Sequence, residues 1–222
     1  MLDENAKSHV GFDWSGRRVA IVGYGSQGRA HALNLRDSGV DVVVGARVDG
    51  PGWARATEDG FQPQSVGAAV CEAELVAILT PDLAQPKLFL EEIQPNLADG
   101  ATVLFAHGFC VRFGFIEVPT AHDLIMVAPK APGPLVRREF ERGFGVPCLV
   151  ACENDASGRG VEKARGYAHC LGGTRAGLVE TDFAEETETD LFGEQAVLCG
   201  GVTELIAAGF ETLTEAGYRP EV

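Results

Sequence analysis

The feature that most constrains the fold of this chain is a short apolar run that leads directly into three closely spaced glycines. Residues 19–22 read VAIV, and the next six residues read GYGSQG. An apolar helical pattern follows at once and stops at Gly39. A strand, a G-x-G-x-x-G turn and a helix in this order are typical of the βα unit that binds a dinucleotide. The spacing predicts that Gly23 permits the tight turn, Gly25 leaves room for a pyrophosphate, and Gly28 lets the helix pack closely on the strand.

The helix that follows this turn would supply the binding site for the pyrophosphate itself. At a helix N-terminus the free N–H groups and the dipole both favour an anion. The alternative interpretation is a glycine-rich structural turn in an α/β protein that binds no nucleotide.

The rest of the chain alternates short apolar segments with helical patterns. Several apolar segments are uninterrupted by polar residues, as is typical of parallel strands that are covered on both faces. The sequence therefore predicts an α/β fold in which residues 1–181 form a Rossmann-type, doubly wound and mostly parallel sheet. The predicted strands are 18–22, 41–45, 75–79, 102–106, 124–128, 148–151 and 176–179, and the predicted helices are 27–38, 65–72, 85–94, 136–141 and 157–171.

The composition argues against several classes of function. The chain has 18 Lys and Arg against 32 Asp and Glu, and a formal net charge of −14 argues against nucleic acid and membrane surfaces as partners. The six cysteines form no C-x-x-C pair, which is typical of reduced core residues in a cytoplasmic protein. No apolar run approaches the roughly 18 residues of a transmembrane helix, and the N-terminus lacks the layout of a signal peptide. We therefore expect a cytoplasmic protein.

The character of the chain changes near Glu180. Residues 180–194 contain seven acidic residues and neither Lys nor Arg, and a long helical pattern with an apolar face follows them as far as Leu213. A helical face of this kind needs another element to cover it. The sequence predicts that residues 182–222 are the start of an all-helical domain that this chain does not complete, so that a homo-oligomer or a separate partner would cover the face.

Polar residues follow the second and third predicted strands. Arg47 stands where an NAD-binding fold usually places Asp or Glu for the ribose hydroxyls, and an arginine there favours the 2′-phosphate of NADPH. A solvated surface arginine is the alternative. Asp82 and Gln85 follow the third strand at the carboxyl edge of the sheet, where the other half of the cofactor would lie.

Two further residues follow the next strands and could carry chemistry. His107 lies in the run FAHGF directly after a strand, and its ring has a pKa that suits proton transfer. Lys130 lies in the run APKAPG and brings a cation to the same edge of the sheet. A structural histidine and an ordinary exposed lysine are the alternatives.

A candidate metal site lies in the acidic run. Asp190 and Glu194 are four residues apart, so they share one face of a helix about one turn apart. Like charges at this spacing repel each other unless a cation lies between them, and oxygen ligands alone favour Mg²⁺ over Zn²⁺. A solvated acidic helix face is the alternative.

These residues and motifs together resemble the class I ketol-acid reductoisomerases, and the resemblance extends from about residue 16 to residue 222. It rests on GYGSQG at 23–28, LNLRDSGVDVVVG at 33–45, FAHGF at 105–109, VAPK at 127–130 and ETETDLFGEQAVLCGGVTE at 186–204.

The resemblance implies an NADPH- and Mg²⁺-dependent oxidoreductase of branched-chain amino-acid biosynthesis. Such an enzyme promotes alkyl migration in an acetohydroxy acid such as 2-acetolactate, and then reduces the product to a 2,3-dihydroxy acid. The resemblance implies catalytic roles for His107 and Lys130, and metal binding by Asp190 and Glu194. It also implies cofactor binding by Gly23, Tyr24, Gly25, Ser26, Gln27, Gly28, Arg47, Asp82, Gln85 and Gly133.

Several positions depart from the family pattern. Residues 49–52 read DGPG where the family usually has serines for the 2′-phosphate, so NADH becomes a possible cofactor. Arg29, Cys110 and Ala131 stand where the family usually has histidine, asparagine and glycine. The family's helical domain also supplies two further metal-binding glutamates and a serine that this chain does not contain. A paralogue that only reduces keto or imino acids and a non-catalytic nucleotide-binding subunit are therefore alternative hypotheses.

Overall fold

A computed structural model describes residues 11–222. The chain divides into two compact units, the first ending at Phe183 and the second spanning Ala184–Val222.

The first unit is built on a single seven-stranded sheet. Its strands are β1 (Arg18–Val22), β2 (Asp41–Gly45), β3 (Leu75–Ile78), β4 (Thr102–Phe105), β5 (Leu124–Pro129), β6 (Cys148–Asn154) and β7 (Leu178–Glu180). They lie in the order β2-β1-β3-β4-β5-β6-β7, and all neighbours are parallel except β5 and β6. The predicted Rossmann-type α/β fold with a mostly parallel sheet is therefore confirmed.

The antiparallel pairing of β6 follows from the position of the helix before it. This helix, Gly133–Glu141, packs against the helix Ser26–Asp37, where Val136, Ala30 and Val146 form a small apolar cluster. It does not cross the sheet to the edge where β5 begins. The chain therefore enters β6 from the edge that it has just left.

Helices cover both faces of the sheet. They are α1 (Ser26–Asp37), α2 (Pro51–Glu58), α3 (Val66–Val70), α4 (Gln85–Leu88), α5 (Phe109–Arg112), α6 (Gly133–Glu141), α7 (Gly160–Cys170) and α8 (Gly173–Ala176). One apolar layer contains Trp14, Leu35 and Tyr167, and the layer on the other face contains Phe89 and Phe105. The strands have these layers on both sides, which explains their nearly uninterrupted apolar sequences.

Several helical predictions differ from the structure. Helices α2, α5 and α8 were not predicted, and α6 begins at Gly133 instead of at residue 136. The predicted helix 85–94 is α4 followed by a π-helical turn, Phe89–Ile93. The predicted helix 157–171 begins only at Gly160, because the backbone N–H and the hydroxyl of Ser157 both donate to the carboxylate of Asp123 instead.

The second unit is helical. It contains α9 (Phe183–Leu191) except for its first residue, a π-helical segment (Phe192–Cys199) and α10 (Gly201–Glu215). Together they form one helix of 33 residues with a mean hydropathy of 1.4 in its most apolar window. By length and composition alone this helix could cross a membrane, although polar residues and glycines interrupt its apolar sequence. A helix from the core of a water-soluble domain meets the same criterion.

Candidate functional site

The order of the strands creates a crevice at the carboxyl edge of the sheet. The chain leaves β1 toward β2 on one side, and β3 lies on the other side of β1. Connections therefore diverge at the carboxyl ends of β1 and β3, which is where open α/β sheets bind their ligands. The run GYGSQG follows β1 directly, and residues 79–85 follow β3. The N–H of Leu79 donates to the carbonyl of Val22 over 2.8 Å, so the two segments adjoin.

The three glycines of the turn meet different surroundings. Gly23 has a φ of +96°, and a Cβ atom there would lie 2.7 Å from Cγ2 of Thr80. A Cβ atom on Gly28 would lie 2.0 Å from the carbonyl oxygen of Gly23, so α1 approaches the turn more closely than a side chain allows. At Gly25 the same position has no atom within 4 Å. Two glycines are thus required by the fold, while the third borders open space.

The first turn of α1 faces this open space. Gly25 is the N-cap residue, no side chain caps α1 in the part of the chain that the structure describes, and its first turn carries no acidic residue. Its unbonded N–H groups and its dipole make this end a favourable place for an anion. A cavity of about 440 Å³ adjoins it. The lining includes Gly25, Ser26, Arg29, Arg55, Asp59 and Gly133.

Buried polar atoms around the crevice lack partners. Gln27 donates through Nε2 to the carbonyl of Ala131 over 2.9 Å, and Gln85 donates through Nε2 to the carbonyl of Thr80 over 2.8 Å. The Oε1 atoms of both glutamines and the hydroxyl of Thr80 find no hydrogen-bond partner among residues 11–222. Buried polar atoms are rarely left in this state. They fit a ligand that carries hydroxyl and amide donors, as a dinucleotide does on its riboses and its carboxamide.

The start of α6 closes one side of the turn. A Cβ atom on Gly133 would lie 2.0 Å from the carbonyl oxygen of Ser26, so the two helix N-termini pack backbone against backbone. Gly133 therefore borders the glycine turn, although it is more than 100 residues away in sequence.

The predicted cofactor-selecting residue lies on a tight loop after β2. Arg47 is exposed, and the N–H of Gly50 donates to its carbonyl over 3.0 Å. Between them Asp49 has a φ of 57°, a left-handed conformation that Asp tolerates better than most residues. A Cβ atom on Gly50 would lie 3.3 Å from Nε of Arg47, so the arginine side chain folds over this glycine. The loop lies beside the glycine turn, because the N–H of Gly23 donates to the carbonyl of Gly45 over 2.9 Å.

The residues proposed for catalysis lie along the same edge. His107 follows β4, and its ring stacks on that of Phe109 with centroids 6.5 Å apart. Lys130 follows β5 and is exposed. Asp82 lies between them and the glycine turn, and the thiol of Cys110 donates to its carbonyl over 3.4 Å. Burial raises the pKa of the Cys110 thiol to about 11, so the thiol stays protonated and joins the loops after β3 and β4.

The structure thus brings the first unit's predicted residues to one sheet edge: the glycine turn, Arg47, Asp82, Gln85, His107, Lys130 and Gly133. Two further residues of the site, Thr80 and Asp59, were not predicted from the sequence. Neither belongs to a recognisable motif, and the contacts that single them out come from residues distant in sequence.

The candidate metal ligands belong to the second unit. Asp190 lies in α9 and Glu194 in the π-helical segment that continues it. A separation of four residues remains close to one turn in both helix types. The pair offers carboxylate oxygens without nitrogen or sulfur, a donor set that suits a hard cation.

The chain is similar to known proteins along nearly its whole length. A family model described as the acetohydroxy acid isomeroreductase NADPH-binding domain matches residues 14–177, and a model of the ketol-acid reductoisomerase C-terminal domain matches residues 183–222. Among curated relatives, the ketol-acid reductoisomerase (NADP(+)) of Kocuria rhizophila is 58% identical over 206 residues, which are 93% of this chain and 60% of that protein. The corresponding protein of Xylella fastidiosa is 58% identical over 92% of this chain and 59% of its own length. The chain therefore spans about 60% of the length of these relatives.

Solved structures extend the comparison. An NADH-preferring ketol-acid reductoisomerase from an uncultured archean superposes with a TM-score of 0.87 at 45% identity, covering 92% of this chain and 63% of that one. A 3-hydroxyisobutyrate dehydrogenase of Mycobacterium tuberculosis has a TM-score of 0.66 at 14% identity, covering 91% of this chain and 66% of that one. The second likeness shows the fold alone.

Proposed function

The chain belongs to the acetohydroxy acid isomeroreductase (ketol-acid reductoisomerase) family, and from this we propose that it provides the dinucleotide-binding domain and two metal ligands of such an enzyme. In this proposal residues 1–181 form the dinucleotide-binding domain, and residues 182–222 belong to a helical domain. The reaction is Mg²⁺-dependent alkyl migration in an acetohydroxy acid of the 2-acetolactate class, coupled to reduction by NAD(P)H to a 2,3-dihydroxy acid. We place the protein in the cytoplasm, as a homo-oligomer or with a partner that covers its helical face.

When bound, the dinucleotide supplies the hydride, and the metal ions polarise the substrate oxygens as Lewis acids. The chain's own residues bind and orient these groups. The N–H groups at the start of α1 would hold the pyrophosphate beside Gly25, and the exposed Arg47 would contact the 2′-substituent of the adenosine ribose. The unpaired Oε1 of Gln85 would accept a hydrogen bond from the nicotinamide end of the cofactor.

The remaining roles concern the substrate. Lys130 stabilises negative charge that develops on a substrate oxygen, because its ammonium group lies at the exposed carboxyl end of β5. His107, at the end of β4, would hold or transfer a proton at the same substrate oxygen. Asp190 and Glu194 would supply carboxylate oxygens to Mg²⁺. The 58% identity to proteins named ketol-acid reductoisomerase favours this function over a reductase without a migration step.

The choice between the two dinucleotides rests on the loop after β2. Arg47 favours NADPH, as do the names of the curated relatives. Asp49, Gly50 and Gly52 provide no hydroxyl donors, and the similar archean enzyme is described as NADH-preferring. We propose that NADPH is the principal cofactor and that NADH also binds.

The observation that carries the proposal is the geometry of the glycine turn. Gly28 packs its Cα against the carbonyl of Gly23, while Gly25 borders open space at the N-terminus of α1. Fluorescence titration of the 222-residue chain with NADPH tests this assignment. We expect binding that is lost in Gly25→Val, because the new side chain occupies the space of the pyrophosphate.

The matched control is Gly209→Val, which adds the same side chain at a helical glycine that also has no atom within 4 Å of its Cβ position. This variant should bind NADPH as the unaltered chain does. Equal affinity in the Gly25→Val and Gly209→Val variants would show that the turn does not bind the cofactor.

A further inference from the structure

A carboxylate outside the recognised motifs joins the glycine turn to α2. The hydroxyl of Tyr24 donates to Oδ2 of Asp59 over 2.9 Å. Arg29 donates to the same carboxylate from two nitrogens, through Nε to Oδ2 over 2.6 Å and through Nη2 to Oδ1 over 2.8 Å. Tyr24 lies between the first two glycines of the turn, and Arg29 lies in the first turn of α1. Asp59 therefore receives three hydrogen bonds from the segment that surrounds the pyrophosphate site.

This carboxylate is held in its charged form. Its side chain is only 16% exposed, and the hydrogen bond from Arg29 lowers the pKa of Asp59 below its usual value. Bidentate pairs of arginine and carboxylate are among the stronger and more directional polar contacts in proteins. The hydrogen bonds of Asp59 with Tyr24 and Arg29, called the Asp59 network below, are thus a rigid connection between α2 and the glycine turn at neutral pH.

Tyr24 contacts α2 along the whole length of that helix. At its start, a Cβ atom on Gly52 would lie 3.4 Å from Cβ of Tyr24. In its middle, Nη2 of Arg55 donates to the carbonyl of Tyr24 over 3.1 Å. At its end lies Asp59, the C-cap residue. The ring of Tyr24 is buried and packs edge-to-face on Phe61, with centroids 5.8 Å apart.

The position of α2 determines the position of the loop before it. Helix α2 begins at Pro51, directly after the loop of residues 47–50 that carries Arg47. A short helix moves as a rigid body, so contacts that fix α2 against Tyr24 also fix the distance from Arg47 to the glycine turn. In a dinucleotide the pyrophosphate and the 2′-substituent of the adenosine ribose are separated by a limited span. Both can be bound well only when the loop and the turn are held at the matching distance.

We propose that Asp59 is a positioning residue for cofactor selection, which holds the Arg47 loop at the distance that lets one cofactor contact both the turn and the arginine. This inference rests on the proposed function, in which the turn binds a dinucleotide. NADH lacks the 2′-phosphate and depends less on Arg47. Loss of the Asp59 network therefore reduces the affinity for NADPH more than the affinity for NADH.

The test is a titration of the 222-residue chain and its Asp59→Asn variant with NADPH and with NADH. We expect the Kd for NADPH to rise about tenfold or more and the Kd for NADH to rise by less than about threefold. Asp41→Asn is the matched control, because it removes one negative charge from another pair of arginine and aspartate, the contact of Asp41 with Arg18 over 2.9 Å at the amino ends of β2 and β1, which is the sheet edge opposite the turn. The ratio of the two Kd values should stay unchanged in this control.

The outcomes separate the inference from the function on which it rests. If the unaltered chain binds neither dinucleotide, the proposed function fails. If it binds both, and Asp59→Asn lowers the affinities for NADPH and NADH equally or leaves both unchanged, the positioning role is overturned while the proposed function stands. Should Asp59→Asn fail to fold by circular dichroism, Tyr24→Phe decides, because it keeps the pair with Arg29 and removes one hydrogen bond. It should shift the ratio about two- to threefold in the same direction, and an unchanged ratio would overturn the inference.

Discussion

A Cβ atom on Gly28 would lie 2.0 Å from the carbonyl oxygen of Gly23, so the first helix of the sheet and the turn before it are in backbone contact. The backbone of the turn cannot move away from α1 without breaking the hydrogen bond from the N–H of Gly23 to the carbonyl of Gly45. The same close approach brings the N-terminus of α1 up to the end of β1. Stability and anion binding therefore depend on the same contact.

The first prediction separates these two effects. Gly28→Ala should lower the free energy of unfolding by about 1–3 kcal/mol, because the methyl group forces α1 away from the turn. Gly25→Ala should change it by less than about 1 kcal/mol, since no atom lies within 4 Å of the new methyl group. Urea unfolding of both variants measures this difference. Equal stabilities would mean that α1 is not tightly packed on the turn.

The parts of the fold that local sequence patterns encode were predicted well. Strands β1 and β2 were predicted with their observed bounds, because each is a β-branched run that ends at a glycine. The direction of β6 could not be predicted, since an apolar run carries no information on direction. Helix α2 was missed because glycine and proline surround its start, and Ala56 is buried there only once the chain has folded.

In the candidate site too, the residues marked by a local sequence pattern could be predicted, and those that depend on contacts between distant residues could not. Residues that directly follow a parallel strand could be assigned to the carboxyl edge of the sheet, and His107 and Lys130 were found in this way. Asp59 could not be found, because its contact with Tyr24 joins positions 35 residues apart that no local spacing relates. Arg29 differs from the usual family residue, but its partner became visible only in three dimensions.

The second prediction concerns the choice of cofactor. The unaltered chain should prefer NADPH over NADH by less than about a thousandfold, because Asp49 repels the 2′-phosphate that Arg47 attracts. Asp49→Asn should increase the affinity for NADPH several-fold and leave NADH binding unchanged. Asparagine is the appropriate replacement because it tolerates the φ of 57° at this position.

The converse variant is Arg47→Gln, which should weaken NADPH binding about tenfold or more. A lost charged hydrogen bond costs roughly 1.5–3 kcal/mol. Isothermal titration with both cofactors provides these values. A much stronger preference for NADPH in the unaltered chain, or no effect of either substitution, would contradict this account of the loop.

The third prediction concerns His31, a residue of α1 whose side chain is completely buried. Its Nδ1 lies 3.0 Å from the hydroxyl oxygen of Tyr167, and burial lowers the pKa of the ring from 6.5 to about 3. Below pH 6.5 the unfolded chain takes up a proton on this residue, while the folded chain does not until about pH 3. The stabilising effect of the neutral ring is therefore present above pH 6.5 and is lost as the pH falls, by up to about 1.4 kcal/mol per pH unit.

Urea unfolding at pH 7 and pH 5 measures this effect. Between these two values the unaltered chain should lose about 2 kcal/mol more stability than His31→Gln, which cannot be protonated there. Tyr167→Phe is the control, because it removes the hydroxyl group but keeps the histidine buried. It should retain the pH dependence of the unaltered chain, and the same pH dependence in His31→Gln would show that this histidine is not its source.

The last prediction concerns the metal ions. Mg²⁺ requires six oxygen ligands in nearly regular octahedral geometry and gives up its waters reluctantly. Asp190 and Glu194, one turn apart on a single helix, leave most of these positions to water. We therefore expect weak Mg²⁺ binding by the 222-residue chain, and little or no Mg²⁺-dependent conversion of 2-acetolactate.

Calorimetric titration with Mg²⁺ and an assay with 2-acetolactate and NADPH test this expectation, with Asp190→Asn as the variant and Glu188→Gln as its control. Each substitution removes one negative charge from the same helix, but only Asp190 shares a helix face with Glu194 at a spacing of four residues. Weak binding should be lost in Asp190→Asn and retained in Glu188→Gln. Rapid Mg²⁺-dependent turnover that Asp190→Asn abolishes would contradict the prediction. It would mean that a further carboxylate, for which Glu186 one turn before Asp190 is the first candidate, completes the ligand set within these 222 residues.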